Sequence, residues 1–145
     1  MAIFLDTSAL VKLFIQEPGS ADVRGIVESE TRKYTSFLTH HEFVSALSKK
    51  TRTRELSASR AGEVVALFRR ALLAHWIQIP YGEAVSVRSI ELLERYGGDG
   101  LRTLDAFQLA CHAEVSNAEF VVSDRVLAEI ARRHGVPTRL VPAES

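Results

Sequence analysis

The segment AIFLDTSALVKLF, residues 2–14, decides the fold class because it places one acid between two apolar stretches. Its pattern predicts a short buried strand over residues 2–5 and a helix over residues 8–15, with Asp6 at the junction. A strand that passes directly into a helix is the repeating unit of α/β proteins. The chain therefore begins as an α/β domain would.

The same alternation of strand and helix continues along the whole sequence. The patterns predict helices over residues 20–30, 39–52, 57–76, 83–96, 104–115 and 124–134, and strands over residues 34–37, 77–80, 120–123 and 138–141. This order predicts an α/β three-layer sandwich, in which a mostly parallel sheet of four or five strands carries helices on both faces. At 145 residues, we expect residues 1–145 to form a single domain.

Composition narrows the class of protein. Eighteen basic residues balance eighteen acidic ones, whereas a protein that binds duplexes mainly by counterion release is usually basic. Segregated charges would still permit contact with nucleic acid. No apolar run reaches the roughly 18–20 residues of a membrane span, and the N-terminus lacks signal-peptide features. A single cysteine, Cys111, is typical of a protein in a reducing compartment, and we expect it to be a small core residue. Together with the absence of a membrane span, this predicts a cytoplasmic protein with no membrane association.

Four acids stand at predicted helix starts, and each has a local explanation. Asp6 and Asp124 follow strands, where aspartate commonly caps a helix. Glu42 completes a capping box with Thr39 in THHE. Asp105 lies in the first turn of its helix, where a negative charge suits the helix dipole.

A shared site is the alternative explanation for these acids. Loops that follow parallel strands meet at one edge of the sheet, so the acids should lie close together. Two carboxylates about 5 Å apart repel by roughly 3 kcal/mol at an effective dielectric near 20. A fold tolerates this where a proton or a cation is shared. Magnesium prefers oxygen ligands and substrate phosphate, so the cluster predicts a divalent-metal site acting on phosphate.

Four segments resemble one family in order along the chain: IFLDTSALVKLF, THHEFVSAL, LRTLDAFQLACHA and FVVSDRVLAEIARRHGV. They are similar to the PIN-domain ribonucleases and, within them, to the VapC-type toxins of toxin–antitoxin pairs. The resemblance spans essentially the whole sequence and includes all four acids.

This resemblance implies a PIN-like fold around a parallel sheet and an endoribonuclease that uses Mg²⁺ or Mn²⁺. The four acids become its catalytic and metal-binding quartet, with Asp6 and Asp105 as the principal ligands. Thr7, Ser8 and Ser123 match the family's supporting polar positions. The resemblance also implies an RNA substrate, a VapB-like antitoxin that blocks the site, and frequent homodimers.

Two arginines beside the acids, Arg102 and Arg125, are candidates for contact with RNA phosphates. The basic run KKTRTR, residues 49–54, either follows the RNA backbone or complements a helix C-terminus. The apolar residues Leu10, Leu13 and Phe14 either belong to the core or receive part of an antitoxin peptide.

Other classes fit less well. HEFVS has Ser45 where a zinc protease needs its second histidine. A haloacid-dehalogenase-like phosphatase needs an acid where Ser8 stands, and a receiver domain leaves Asp105 unexplained. The remaining alternative is a PIN-like module that binds RNA or protein without cutting, which metal-dependent cleavage would distinguish.

Overall fold

The computed structural model describes residues 2–30 and 32–143. Its sheet contains β1 (Ala2–Leu5), β2 (Arg32–Ser36), β3 (Ile77–Ile79), β4 (Glu119–Val122) and β5 (Thr138–Leu140). Every pairing is parallel, and the strand order is β3-β2-β1-β4-β5. The expected parallel sheet is therefore confirmed, with five strands.

The helices occupy the segments between the strands. They are α1 (Thr7–Leu10), α2 (Ser20–Ser29), α3 (Thr39–Arg52), α4 (Ala58–His75), α5 (Glu83–Tyr96), α6 (Thr103–His112) and α7 (Arg125–Arg133). Short 3₁₀ turns cover Val11–Leu13, Gly97–Asp99 and Ala113–Val115. Within the described residues, no helix combines the length and the apolar character needed to cross a bilayer.

Two helices end three or more residues before the predicted end, whereas the other helix bounds agree with the prediction to within one residue. The helix expected over residues 8–15 is α-helical only to Leu10 and continues as the first 3₁₀ turn. Beyond it, the ring of Phe14 packs edge-on against Phe43 and Phe68, with ring centroids 5.5 and 5.6 Å away. The helix expected over residues 104–115 likewise ends at His112. Apolar spacing does not distinguish an α-helix from a following 3₁₀ turn.

The sheet separates two apolar cores, as alternating side chains on buried strands require. Phe4 and Phe120 pack with residues of α5, α6 and α7 on one face. Ile3, Leu5 and Val121 pack with residues of α1, α2, α3 and α4 on the other. The architecture is the expected three-layer sandwich.

The strand order fixes where a site can form. The chain runs outward from β1 to β2 and β3, and then returns to the other side of β1 to form β4 and β5. In parallel α/β sheets, ligands bind outside the carboxyl ends of the strands at such a reversal point. Asp6 directly follows β1, and Asp124 lies just beyond β4.

Candidate metal centre

A cleft of about 210 Å³ lies at this edge of the sheet and contains all four predicted acids. Its lining consists of Asp6, Thr7, Ser8, Val11, Glu42, Ala46, Arg102, Asp105 and Asp124. The acids come from the starts of α1, α3, α6 and α7, which are far apart in sequence. The structure thus brings the predicted quartet together.

Asp6 is the most deeply buried of the four, with 4% of its surface exposed. Its Oδ2 accepts hydrogen bonds from the backbone N–H of Ser8, at 3.2 Å, and from the Ser8 hydroxyl. Burial raises the pKa of Asp6 to about 7, the Ser8 hydroxyl opposes that rise, and the charges of Glu42 and Asp105 add to it. Asp6 therefore caps α1 and lines the cleft at once.

Glu42 does not form the capping box that the sequence suggests. The hydroxyl of Thr39 instead accepts a bond from the backbone N–H of Ser36, at 3.2 Å. Glu42 Oε1 accepts bonds from Thr7 Oγ1, at 2.8 Å, and Gln108 Nε2, at 2.5 Å. Burial raises the pKa of the Glu42 carboxyl, and these two hydrogen bonds oppose the rise. The local prediction for Glu42 is wrong because tertiary donors take its carboxylate.

Arg102 joins the other two acids. Its Nε donates to Asp105 Oδ2 at 3.1 Å, and its terminal NH2 nitrogen lies 3.5 Å from Asp124 Oδ2. Burial raises the pKa of the Asp105 carboxyl, while the Arg102 guanidinium opposes that rise. Asp124 also accepts a bond from the backbone N–H of Leu127, at 2.9 Å, so it caps α7 as one reading of the sequence predicts.

Within residues 2–30 and 32–143, three of the four carboxylates have one oxygen that accepts no hydrogen bond. Asp6 Oδ1, Glu42 Oε2 and Asp105 Oδ1 receive no hydrogen bond from residues 2–30 or 32–143, whereas their second oxygens do. Both oxygens of Asp124 have partners. On three of its four acids, the cleft therefore presents a carboxylate oxygen to which none of the described residues donates.

The remaining predicted residues lie around this cleft. Ser8 Oγ accepts a bond from the backbone N–H of Ser123, at 2.9 Å, which links the ends of β1 and β4. Arg125 is exposed and is not part of the cleft lining. In the basic run, Lys50 Nζ lies 3.4 Å from a carboxylate oxygen of Glu17 and 3.4 Å from one of Glu55. That pairing favours a structural role for Lys50.

Comparison with known proteins decides the family. The model of the PIN domain family matches residues 3–133, which is most of the chain. The protein belongs to the PIN-domain family. The family-level resemblance inferred from the sequence is thereby confirmed, although no curated protein matches.

Solved structures share this PIN fold at low sequence identity. VapBC2 from Rickettsia felis, bound to a DNA fragment from its promoter, gives a TM-score of 0.68 at 16% identity over 97% of this chain and 99% of that one. VapC20 from Mycobacterium tuberculosis, a sarcin–ricin loop cleaving toxin, gives 0.67 at 16% identity over 88% and 93%. A toxin–antitoxin complex from Klebsiella pneumoniae gives 0.62 at 20% identity over 84% and 86%.

The donor set of this PIN domain suits a hard divalent cation. It consists of carboxylate and hydroxyl oxygens, and magnesium prefers oxygen ligands. Among the described residues, no group of three or more His, Cys, Asp or Glu side chains is arranged to hold a metal ion. Magnesium is commonly held by one or two carboxylates together with water and phosphate, so it does not require such a group.

Sulfur and imidazole chemistry has little support in the described PIN domain. Burial raises the pKa of the Cys111 thiol to about 12, so it stays protonated and is a poor nucleophile. The ring of His40 accepts a hydrogen bond from Arg69 Nε at 3.0 Å. These findings agree with a core role for Cys111.

Gln108 does not line the cleft but is hydrogen-bonded to two residues that do, and the sequence analysis missed it. It is fully buried in α6 and donates to both Thr7 and Glu42. A signal was available, because Gln108 is a polar residue among the buried positions Ala106, Leu109 and Ala110. Its partner lies 66 residues away in sequence, however, and no local pattern identifies it.

Proposed function

We propose that this protein is a metal-dependent endoribonuclease of the VapC toxin type. It cuts RNA phosphodiester bonds with Mg²⁺ or Mn²⁺ held by Asp6, Glu42, Asp105 and Asp124. The observation that supports this proposal most is the convergence of these four carboxylates in one cleft, where three of their oxygens accept no hydrogen bond from the described residues.

The names of the structural relatives support this choice among PIN-domain activities. VapC20 is named as a toxin that cleaves the sarcin–ricin loop, which is an RNA. Several further relatives are toxin–antitoxin complexes. On the basis of this shared fold, we propose that the substrate of this chain is RNA and that its inhibitor is a VapB-like protein.

The residues of the cleft have separate roles in the proposed reaction. A bound divalent ion would activate water and offset the charge that develops on the scissile phosphate. Asp6 and Asp105 would be the principal ligands of the ion, and Glu42 and Asp124 would complete the site directly or through water. Arg102 is 73% exposed and pairs with two acids, so its guanidinium is placed to exchange a carboxylate for an RNA phosphate. Arg125, farther out, supplies a second phosphate contact.

The proposal includes the protein's partners and location. A VapB-like antitoxin covers the cleft, partly over Leu13 and Phe14, which are half-buried and follow the cleft residue Val11 in the chain. The toxin forms a homodimer and acts in the cytoplasm. Leu10 is fully buried and belongs to the core instead.

RNA cleavage by the purified, antitoxin-free protein tests this proposal. Wild-type protein is expected to cut RNA with Mg²⁺ or Mn²⁺ and to stop when EDTA is added. Asp6→Ala and Asp105→Asn should each lower the rate by about a hundredfold or more, the scale on which one electrostatic stabiliser of a transition state acts. Fragment lengths on a denaturing gel report the rate.

Asp22→Asn is the matched control, because Asp22 also lies in the first turn of a helix but is exposed and outside the cleft. It should cut like the wild type. Undiminished cleavage by Asp105→Asn would overturn the assignment of the site. A folded protein that binds RNA in the presence of metal but never cuts it would instead be a binding module.

A further inference from the structure

A hydrogen-bonded triangle lies behind the cleft. Gln108 Nε2 donates to Thr7 Oγ1 at 3.2 Å and to Glu42 Oε1 at 2.5 Å, while Thr7 Oγ1 donates to the same Glu42 oxygen at 2.8 Å. The three residues come from α6, α1 and α3. The triangle therefore joins three helices through one carboxylate oxygen.

The donor inventory fixes the orientation of the Gln108 amide. The single hydroxyl hydrogen of Thr7 points to Glu42, so its oxygen must accept a hydrogen from Gln108. Both amide hydrogens of Gln108 are then used, one on each partner. The reversed amide would place its carbonyl oxygen against the Glu42 carboxylate and lose both bonds.

This orientation has a local disadvantage. Gln108 Oε1 is buried and has no hydrogen-bond partner among the described residues. A buried polar atom without a partner destabilises a fold, and an apolar side chain of similar shape would avoid that penalty. Packing alone does not explain why this position is a glutamine. The two hydrogen bonds that its amide donates to Thr7 and Glu42 do explain it.

We propose that Gln108 is a positioning residue that acts with Thr7 to hold Glu42 for metal binding. The two donors occupy Glu42 Oε1 and fix the carboxylate plane, which leaves Oε2 as the oxygen available to a cation. Groups that orient a ligand in this way influence metal affinity without touching the metal. The inference rests on the proposed function, since it assumes that the cleft binds a divalent ion.

Calorimetric titration of the full-length protein with Mn²⁺ tests the inference without measuring activity. Gln108→Met keeps the side-chain volume, removes both donors and also removes the buried carbonyl. We expect Mn²⁺ affinity to fall by about tenfold, within the range found for other groups that orient ligands. We expect the free energy of unfolding in EDTA to stay the same or rise.

Thr7 provides a second, independent variant pair. Thr7→Val should weaken Mn²⁺ binding, and Thr7→Ser, which keeps the hydroxyl, should bind like the wild type. Because Thr7 and Gln108 act on one oxygen, the double variant Thr7→Val with Gln108→Met should lose less affinity than the sum of the two single changes. This pair still tests the inference if Gln108→Met fails to fold.

Thr35→Val is the matched control, since Thr35 Oγ1 is also buried with no hydrogen-bond partner among the described residues, but it donates to none of the four acids. It should leave Mn²⁺ affinity unchanged. A Gln108→Met affinity within about threefold of the wild type would overturn the inference, because that lies below the effect of a group that orients a ligand. Absence of Mn²⁺ binding by the wild type would also overturn it. Intact Mn²⁺ binding without RNA cleavage would contradict only the proposed function.

Discussion

Asp6 lines the cleft, and burying its carboxylate lowers the stability of the folded protein. In the folded protein, burial raises its pKa from 3.8 to about 7. Between these values the folded state keeps a proton that the unfolded state has released, so stability falls as the pH rises. Above pH 7 the loss is complete and is on the order of 4 kcal/mol at most. A bound cation would offset this loss.

Asp6→Asn is therefore expected to stabilise the metal-free protein. The amide oxygen can still cap α1, but no charge is buried. In urea unfolding at pH 8 with EDTA, we expect a gain of about 1–3 kcal/mol, which should shrink as the pH approaches 4. Exposed Asp22→Asn should show no such pH-dependent gain. A variant less stable than the wild type at pH 8 would contradict this account.

The sequence predicted that the four acids lie together, but not the hydrogen bonds that orient them. Asp6 and Asp124 follow strands, so their approach to one another follows from the geometry of a parallel sheet. Glu42 was open to two explanations, because a capping box and a shared site need the same residue type. The distant donors Thr7 and Gln108 exclude the capping box, and no local pattern identifies Gln108 as a partner of Glu42.

At the level of secondary-structure elements, Asp124 combines two tasks in one side chain. Its Oδ1 caps α7 and its Oδ2 faces Arg102. Asparagine caps a helix about as well as aspartate does, but it carries no charge. The two tasks can therefore be separated by substitution.

Asp124→Asn should keep the free energy of unfolding within about 0.5 kcal/mol of the wild type, whereas Asp124→Ala should lower it by about 1 kcal/mol. Both variants should cut RNA more slowly if the carboxylate belongs to the site. Ser57→Ala removes the cap of α4, away from the cleft lining, and should lower stability without slowing cleavage. Wild-type cleavage by Asp124→Asn would leave Asp124 as a cap only.

Helix boundaries agree with the prediction where the apolar spacing and the helix-ending residues indicate the same position. The bounds of α3 and α5 match the expected 39–52 and 83–96. The prediction of a helix over residues 8–15 is wrong beyond Leu10, because the ring of Phe14 packs against Phe43 and Phe68 of later helices. Such tertiary packing leaves no mark on the local period.

The whole molecule builds its cleft from four separate chain segments. A ligand that joins them should stabilise the entire fold, since it binds the folded state and not the unfolded chain. The strand order behind this arrangement was not predicted, because parallel pairings join residues distant in sequence. Local patterns predict that the strands are parallel, but not which strands lie next to each other in the sheet.

Thermal unfolding with and without Mn²⁺ should show this coupling. We expect a rise in Tm, corresponding to about 2.7 kcal/mol when free metal is a hundred times its Kd. The rise should be larger at pH 8 than at pH 6, because Asp6, with a pKa of about 7, must lose its proton for the metal to bind. Asp6→Asn should abolish the difference between the two pH values, and equal shifts for the wild type would contradict the expectation.

The position of β1 between β2 and β4 has a consequence for how the protein is made. Asp6 is translated before residues 119–124, which supply the strand on one side of β1 and the fourth acid. A chain still being synthesised therefore has an incomplete cleft until this later segment has emerged. If the protein cuts RNA, the ribosome that produces it meets an assembled cleft only after residue 124 has left it.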